Sequence, residues 1–361
     1  MSGWPDRRIL DLFGIELPIV LAPMAGPGTA AMAIAVSEAG GLGSMPCAQL
    51  DVACARAALQ TIRGATSKPY NVNFFAHTPP RVDPERDRAW RARLSVYYAE
   101  HGLERDAATT GPVRKPFDSE FCEVIEEFRP PVVSFHFGLP DRALLDRVRA
   151  AGAKILGCAT TVAEARWLEA RGCDAVIAMG AEAGGHRGCF LSTDPARQIG
   201  TIALVPQVVD AVTIPVIAAG GIADGRGLAA ALMLGAAAAQ IGTAYLFCRE
   251  AGVSPLYRRA LEITGDDETV ITNVFTGRPA RGILNRIVRE LGPICPDAPE
   301  FPLAASALAP LRARAEAGGS ADFTNLWSGQ AARLAARDLP AGELTRMLAS
   351  EAIRRLSGDC A

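Results

Sequence analysis

Short, continuously apolar runs recur along the chain at 18–24 (PIVLAPM), 42–46 (LGSMP), 70–75 (YNVNFF), 132–138 (VVSFHFG), 154–160 (KILGCAT), 175–180 (AVIAMG), 215–221 (PVIAAGG) and 238–247 (AAQIGTAYLF). Unbroken apolar character, rather than apolar and polar alternation, is expected of parallel strands covered on both faces. Most of the runs are separated by segments of helical periodicity. After the fifth run, Thr161 and Glu164 have the spacing of a reciprocal capping box, Ala165, Trp167 and Leu168 continue the helix, and Gly172 is placed to close it. Asp224 is placed to cap a helix that runs through Leu228, Leu232 and Met233 toward Gly235. Eight strands joined by right-handed helical crossovers predict an α/β fold, a (β/α)8 TIM barrel, with a doubly wound open sheet as the competing arrangement.

One connection breaks the rhythm. Between the third and fourth runs lies a long segment that begins with Thr78-Pro79-Pro80 and contains helix-like stretches at 83–100 and 118–128, the second with Phe121, Val124, Ile125 and Phe128 on one face. The division predicted is therefore a barrel from 1–76 and 131–250, a helical insertion at 77–130, and a mostly helical C-terminal extension at 251–361. Within that extension, 330–336 and 342–356 are helix-like and Pro340 separates them. An insertion after a barrel strand lies on the ligand side, which makes 77–130 a candidate substrate lid; an inert helical excursion is the competing reading.

Composition narrows the function. The chain has 361 residues, a net charge of -2 and 49% hydrophobic residues, so no basic field invites nucleic acid or an anionic membrane. Nine cysteines form no C-x-x-C pair and no His/Cys cluster, which argues against a metal site and for a reducing compartment. The start of the chain lacks the apolar core of a signal peptide, and the apolar stretch 229–239 is too short to span a bilayer. The expectation is a cytoplasmic enzyme with a small-molecule substrate and no nucleic-acid or membrane partner, with a homodimer as the candidate assembly.

Two loops carry the candidate chemistry. The sixth run opens into Ala181-Glu182-Ala183-Gly184-Gly185-His186-Arg187-Gly188. Adjacent glycines let the backbone approach a flat or anionic ligand, and an imidazole beside them is suited to moving a proton near neutral pH. Arg187 is placed either to attract an anion or to pair locally. Beyond the seventh run stand Gly220 and Gly221, and in the eighth, Gly242 and Thr243. Barrels commonly hold a phosphate with the loops at these positions. A phosphorylated cofactor gripped there, with its reactive part reaching His186, is the implied arrangement. His77 follows the third strand and is read as surface structure with a substrate contact as the alternative; His136 in the fourth is read as a core residue, with a donor to the cofactor or a substrate contact as the alternatives.

The motifs LAPMAG (21–26), NVNFF (71–75), VSFHFG (133–138), AEAGGHRG (181–188), AAGGIADGRG (218–227) and QIGTAYLF (240–247) occur in this order. With them the chain from Pro18 to about Thr276 resembles the nitronate monooxygenase family, and LWSGQ (326–330) extends the likeness more weakly. The resemblance implies an FMN-containing barrel that oxidises alkyl nitronates, or nitroalkanes, with O2 to carbonyl compounds and nitrite. It implies that Ala22, Pro23 and Met24 line the flavin, that Asn73 hydrogen-bonds it, and that Gly184 lies beside it. Gly221, Gln240, Ile241, Gly242 and Thr243 would hold the phosphate end with Gly220 adjoining, and His186 would be the catalytic base. Met179 stands where many members carry a glutamine that contacts flavin. FMN-dependent enoyl-thioester reductases that use NAD(P)H share the barrel and an AGGH-type loop, and a flavin-free isomerase or lyase on a phosphate-binding barrel is a further alternative.

Overall fold

The computed structural model describes residues 3–104, 114–192 and 194–358. Its strands in chain order are β1 (Ile19–Leu21), β2 (Gly43–Pro46), β3 (Tyr70–Phe75), β4 (Val132–His136), β5 (Lys154–Ala159), β6 (Ala175–Met179), β7 (Gly185–His186), β8 (Val216–Ala219), β9 (Ala238–Ile241), β10 (Thr269–Thr272) and β11 (Ala280–Ile283). Eight of them form one parallel sheet in the order β1-β9-β8-β6-β5-β4-β3-β2. Val20 bridges Leu42 in parallel, with Leu21 N donating to Leu42 O and Leu42 N to Ile19 O, both at 2.9 Å, so the first and last strands of that order join. The sheet is a TIM barrel, and the open-sheet alternative is excluded. Its strands are almost wholly buried, as the unbroken apolar runs require.

The outer helices start where the caps predict. Asp224 Oδ1 accepts from Gly227 N at 3.0 Å to begin the helix Gly225–Met233, and Thr161 Oγ1 accepts from Glu164 N at 3.2 Å to begin Val162–Ala170. The capping box, however, is not reciprocal. The Glu164 carboxylate turns inward and accepts from Thr160 N and Oγ1, at 2.7 and 2.8 Å, and from the amides of Phe190 and Leu191 at 2.7 and 3.1 Å. It ties the end of the His186 loop to β5, a stronger use of a buried carboxylate than a return bond to its own cap.

The insertion divides in two. Helix Ser119–Phe128 packs beside Val52–Ala65 and Arg142–Ala150 and belongs to the barrel's own outer layer. Helix Pro84–Glu100 instead packs on Ala304–Ala317 from the C-terminal extension, with Trp90 Nε1 donating to Ala304 O and Tyr98 Oη to Ala307 O. Trp90, Leu94 and Tyr97 share a second apolar core with Phe275, Leu311 and Phe323.

Two expectations about the later chain need correction, and one needs an addition. The eighth run does not continue as strand to 247: β9 ends at Ile241, and Tyr245 N bonds back to Gly242 O at 2.8 Å to make a 3-10 turn over Thr243–Phe247. The mostly helical extension also contains a strand pair that the sequence did not announce: β10 and β11 pair antiparallel and β11 pairs in turn with β7, placing Ala280 opposite His186. Residues 330–336 are not an α-helix; only a 3-10 turn at Ala332–Leu334 forms there. The final helix, Ala341–Leu356, does form, and lies across Gly225–Met233 and Ala30–Glu38. No helix among the described residues is long and apolar enough to cross a membrane.

Candidate active site

At the C-terminal ends of the barrel strands, where such barrels place their ligands, lies a cleft enclosing about 1140 Å³ of empty space, its open mouth included. One wall is Ala22, Pro23 and Met24 after β1, and the facing wall is the loop from Glu182 to His186. Between them Asn73, Cys158, Met179 and Gln240 stand at the strand ends, while Gly220, Gly221, Gly242 and Thr243 line the far end. Gly220 and Gly221 have φ of +113° and +71°, a turn that exposes backbone rather than side chain to the cavity. Ile241 is the predicted contact that the fold does not deliver. It is fully buried, and alternation along β9 turns it away from the cleft that Gln240 and Gly242 line.

Several polar atoms along the cavity have bonding capacity to spare. Gln240 Oε1 is buried with no hydrogen-bond partner, a polar atom awaiting a donor. Asn73 Nδ2 is committed to Ser134, at 2.9 Å to Oγ and 3.2 Å to the carbonyl, which leaves the Asn73 oxygen for a ligand. Thr243 Oγ1 accepts from Gly329 N at 2.9 Å and so keeps its own proton to donate. Met179 lines the cavity and its Sδ accepts from the Cys158 thiol at 3.7 Å.

His186 lines the same cleft as the glycine turn and is 9% exposed. Its Nε2 lies 2.9 Å from Thr276 Oγ1, and its ring stacks within 5.2 Å of both Trp327 and Phe301. Burial, then the positive charges of Arg114 and Arg278 among other neighbours, hold its pKa well below the usual histidine value, so the imidazole is neutral. His136 donates from Nε2 to the His186 carbonyl at 3.1 Å and is itself held to about 4, mainly by burial. It lines the cavity and braces the loop at once. His77 is neither on the surface nor in the cleft. It is 4% exposed, edge-on to Phe301 with centroids 4.9 Å apart, and lowered to about 4 by burial and by Arg278. Arg187 is fully buried and donates to Gln198 Oε1 at 2.7 Å and to Met179 O at 2.9 Å, so it staples the loop to β6 and forms no salt bridge among the described residues.

Several lining residues were not singled out as contacts in the sequence. Gln49, Tyr257 and Ala331 come to the cleft from a loop or from the extension, while Phe75 at the end of β3 and Trp327 and Gly329 of the extension lie within the NVNFF and LWSGQ motifs. The segment around Trp327 is a strap: Gln330 N donates to Glu182 O at 3.0 Å, Tyr257 Oη donates to Trp327 O, and Gly184 approaches so closely that an added Cβ would lie 2.5 Å from Gly329 N. By contrast, none of the described residues of the 77–130 insertion lines the cavity, and 105–113 lie outside the described residues. No cluster of metal-ligating side chains occurs among the described residues.

The model of one family, described as nitronate monooxygenase, matches residues 6–351. The chain belongs to the nitronate monooxygenase family. It is 45% identical to the nitronate monooxygenase of Pseudomonas aeruginosa over 352 residues, covering 95% of this chain and 98% of the relative. It is 41% identical to that of Paraburkholderia phytofirmans, covering 96% and 94%. Among solved structures, the nitroalkane oxidase of Streptomyces ansochromogenes superposes with a TM-score of 0.88 at 40% identity, over 97% of this chain and 99% of that one. FabK of Thermotoga maritima superposes with a TM-score of 0.73 at 31% identity, over 98% of each. As a member of the nitronate monooxygenase family the chain is an oxidoreductase acting on nitronates or nitroalkanes.

Proposed function

We propose that the cleft holds FMN and that the protein oxidises alkyl nitronates with O2 to carbonyl compounds and nitrite, taking neutral nitroalkanes through proton abstraction by His186. The observation that carries this reading is a neutral imidazole facing the same cavity as a glycine turn with unspent polar groups. The residues fit the cofactor. The turn at Gly220 and Gly221 with Gly242 and the Thr243 hydroxyl suits a phosphate, and the oxygens of Asn73 and Gln240 suit ring N–H groups. When bound, FMN supplies the redox capacity that the side chains lack. The protein's part is then to bind, orient and move one proton. Arg114 and Arg278, both of which depress the His186 pKa, give this end of the cleft a positive potential that favours an anionic nitronate. A neutral nitroalkane first loses its Cα proton to His186.

A second reading, an NAD(P)H-dependent reductase of unsaturated thioesters, is supported by the FabK superposition. Anaerobic mixing of the flavin-loaded protein with ethyl nitronate and, separately, with NADPH tests the two. Bleaching by nitronate is expected; bleaching by NADPH alone overturns the reading. His186→Ala is expected to lose nitroethane oxidation by about 100-fold or more, the usual scale of general-base catalysis, and to lose far less with ethyl nitronate, which arrives already deprotonated.

A further inference from the structure

The hydroxyl of Thr276 is 2% exposed and stands between two partners: His186 Nε2 at 2.9 Å and the Arg278 carbonyl at 3.4 Å. A carbonyl only accepts, so a hydroxyl proton directed to Arg278 leaves the hydroxyl oxygen to receive from the ring. A neutral imidazole in that arrangement carries its proton on Nε2 and has a bare lone pair on Nδ1. No described protein group hydrogen-bonds Nδ1. We propose that Thr276 is a positioning residue that fixes His186 in the Nε2–H tautomer, making Nδ1 the atom that accepts the substrate proton. The inference rests on the reading of His186 as base.

The surrounding frame keeps Thr276 in place. The turn between β10 and β11 that carries it is pinned to the His186 loop through the pairing of Ala280 with His186, through Arg187 N donating to Pro279 O at 2.9 Å, and through Arg278 Nη2 donating to Cys189 O. Gly277 N closes the turn on Asn273 O at 2.7 Å. In the step itself the Cα–H bond of the nitroalkane breaks, its electron pair stays on the nitronate, and the proton forms an N–H bond at Nδ1. The resulting imidazolium keeps its Nε2–H on Thr276. The opposite tautomer, with the hydroxyl donating to Nε2, presents an N–H to the substrate and accepts nothing.

Thr276→Val removes the acceptor while keeping the shape, and Thr276→Ser restores it. The expected result is a loss of about tenfold or more in kcat for nitroethane in the valine variant, the scale of one lost orienting hydrogen bond. Ethyl nitronate turnover should fall less than about threefold, and serine should recover most of the nitroethane rate. In the His186→Ala background, Thr276→Val should add no further loss with nitroethane. A readout independent of turnover is the long-range 1H–15N spectrum of the imidazoles, tractable because the chain has His 4 in all. It should show Nε2 protonated and Nδ1 bare at His186 in the parent, and a mixture in the valine variant. A parent spectrum with Nδ1 protonated, or a valine variant as fast as the parent on nitroethane, overturns the proposal; the spectrum decides even where the valine variant does not fold. Nitroethane turnover that survives His186→Ala refutes the base role itself, a separate failure.

Discussion

Gly184→Ala is the substitution for which the structure gives the clearest magnitude. A Cβ built at this position lies 2.5 Å from Gly329 N, 2.7 Å from Ser328 C and 3.1 Å from Ser328 Cα. All three are backbone atoms, so no rotamer change relieves the contact, and the strap must move by several tenths of an ångström. That strap is fastened by the bonds from Gly329 N to Thr243 Oγ1 and from Gln330 N to Glu182 O. Overpacking of this kind costs roughly 1–3 kcal/mol, and weakening either bond adds about 1 kcal/mol. The expected total is about 2–4 kcal/mol of stability. Because Thr243 and Gly329 both line the cavity proposed to hold FMN, part of that loss should fall on FMN binding, and each 1.4 kcal/mol there corresponds to a tenfold weaker Kd. Urea unfolding of the apoprotein and titration of FMN by fluorescence quenching measure the two effects separately. Gly64→Ala is the control, since nothing lies within 4 Å of its added Cβ in the helix Val52–Ala65. Were Gly184→Ala to match the parent within twofold in FMN affinity and within about 0.5 kcal/mol in stability, a level typical of inconsequential surface changes, the close approach of the strap would be disproved.

Two further outcomes follow from the buried polar groups. His77 and His136 are held to about 4 in the folded protein, against 6.5 for an ordinary histidine, so the unfolded chain binds more protons between these values. Stability is therefore complete above pH 6.5 and falls as pH drops toward 4, by about 1.4 kcal/mol per unit for each histidine. His77→Phe should flatten the slope of unfolding free energy against pH in that window by one proton, and an unchanged slope refutes the assignment. Gln240→Leu should act with opposite signs on the two states: the apoprotein gains or keeps stability, because an unpaired buried oxygen is removed, while FMN affinity falls by about tenfold. Ile241→Val, one residue on, should leave that affinity unchanged and cost about 1 kcal/mol of stability. Equal effects of both on FMN binding contradict the alternation along β9.

The barrel was legible because its strands are buried on both faces, which writes them as unbroken apolar runs. Their ends were less so. The runs overshoot into 220–221 and 243–247 because residues lining a ligand cavity, or packed in a 3-10 turn, are as apolar as strand residues. Chain-local chemistry also located the glycine turn and His186. What stayed hidden depends on pairing across long separations. Residues 269–272 are a short β-prone run without a recognisable partner, since the strand that completes their sheet is only Gly185 and His186. Thr276 carries no local signature, and its meaning comes from its distance to His186. His77 stands just ahead of Pro79 and Pro80 and looks like a surface turn until Phe301, over two hundred positions away, closes over it.

The strap and the last helix have a consequence for how the protein is made. Gly329 and Ala331 line the cavity, and Glu351 accepts from Gly225 N at 3.1 Å to brace the helix that begins at the glycine turn. The barrel strands all leave the ribosome before these pieces exist. A nascent chain halted near Leu303 would hold a finished sheet with a cleft still lacking its Gly329 and Ala331 wall, so completion of the cleft awaits synthesis of the end of the extension.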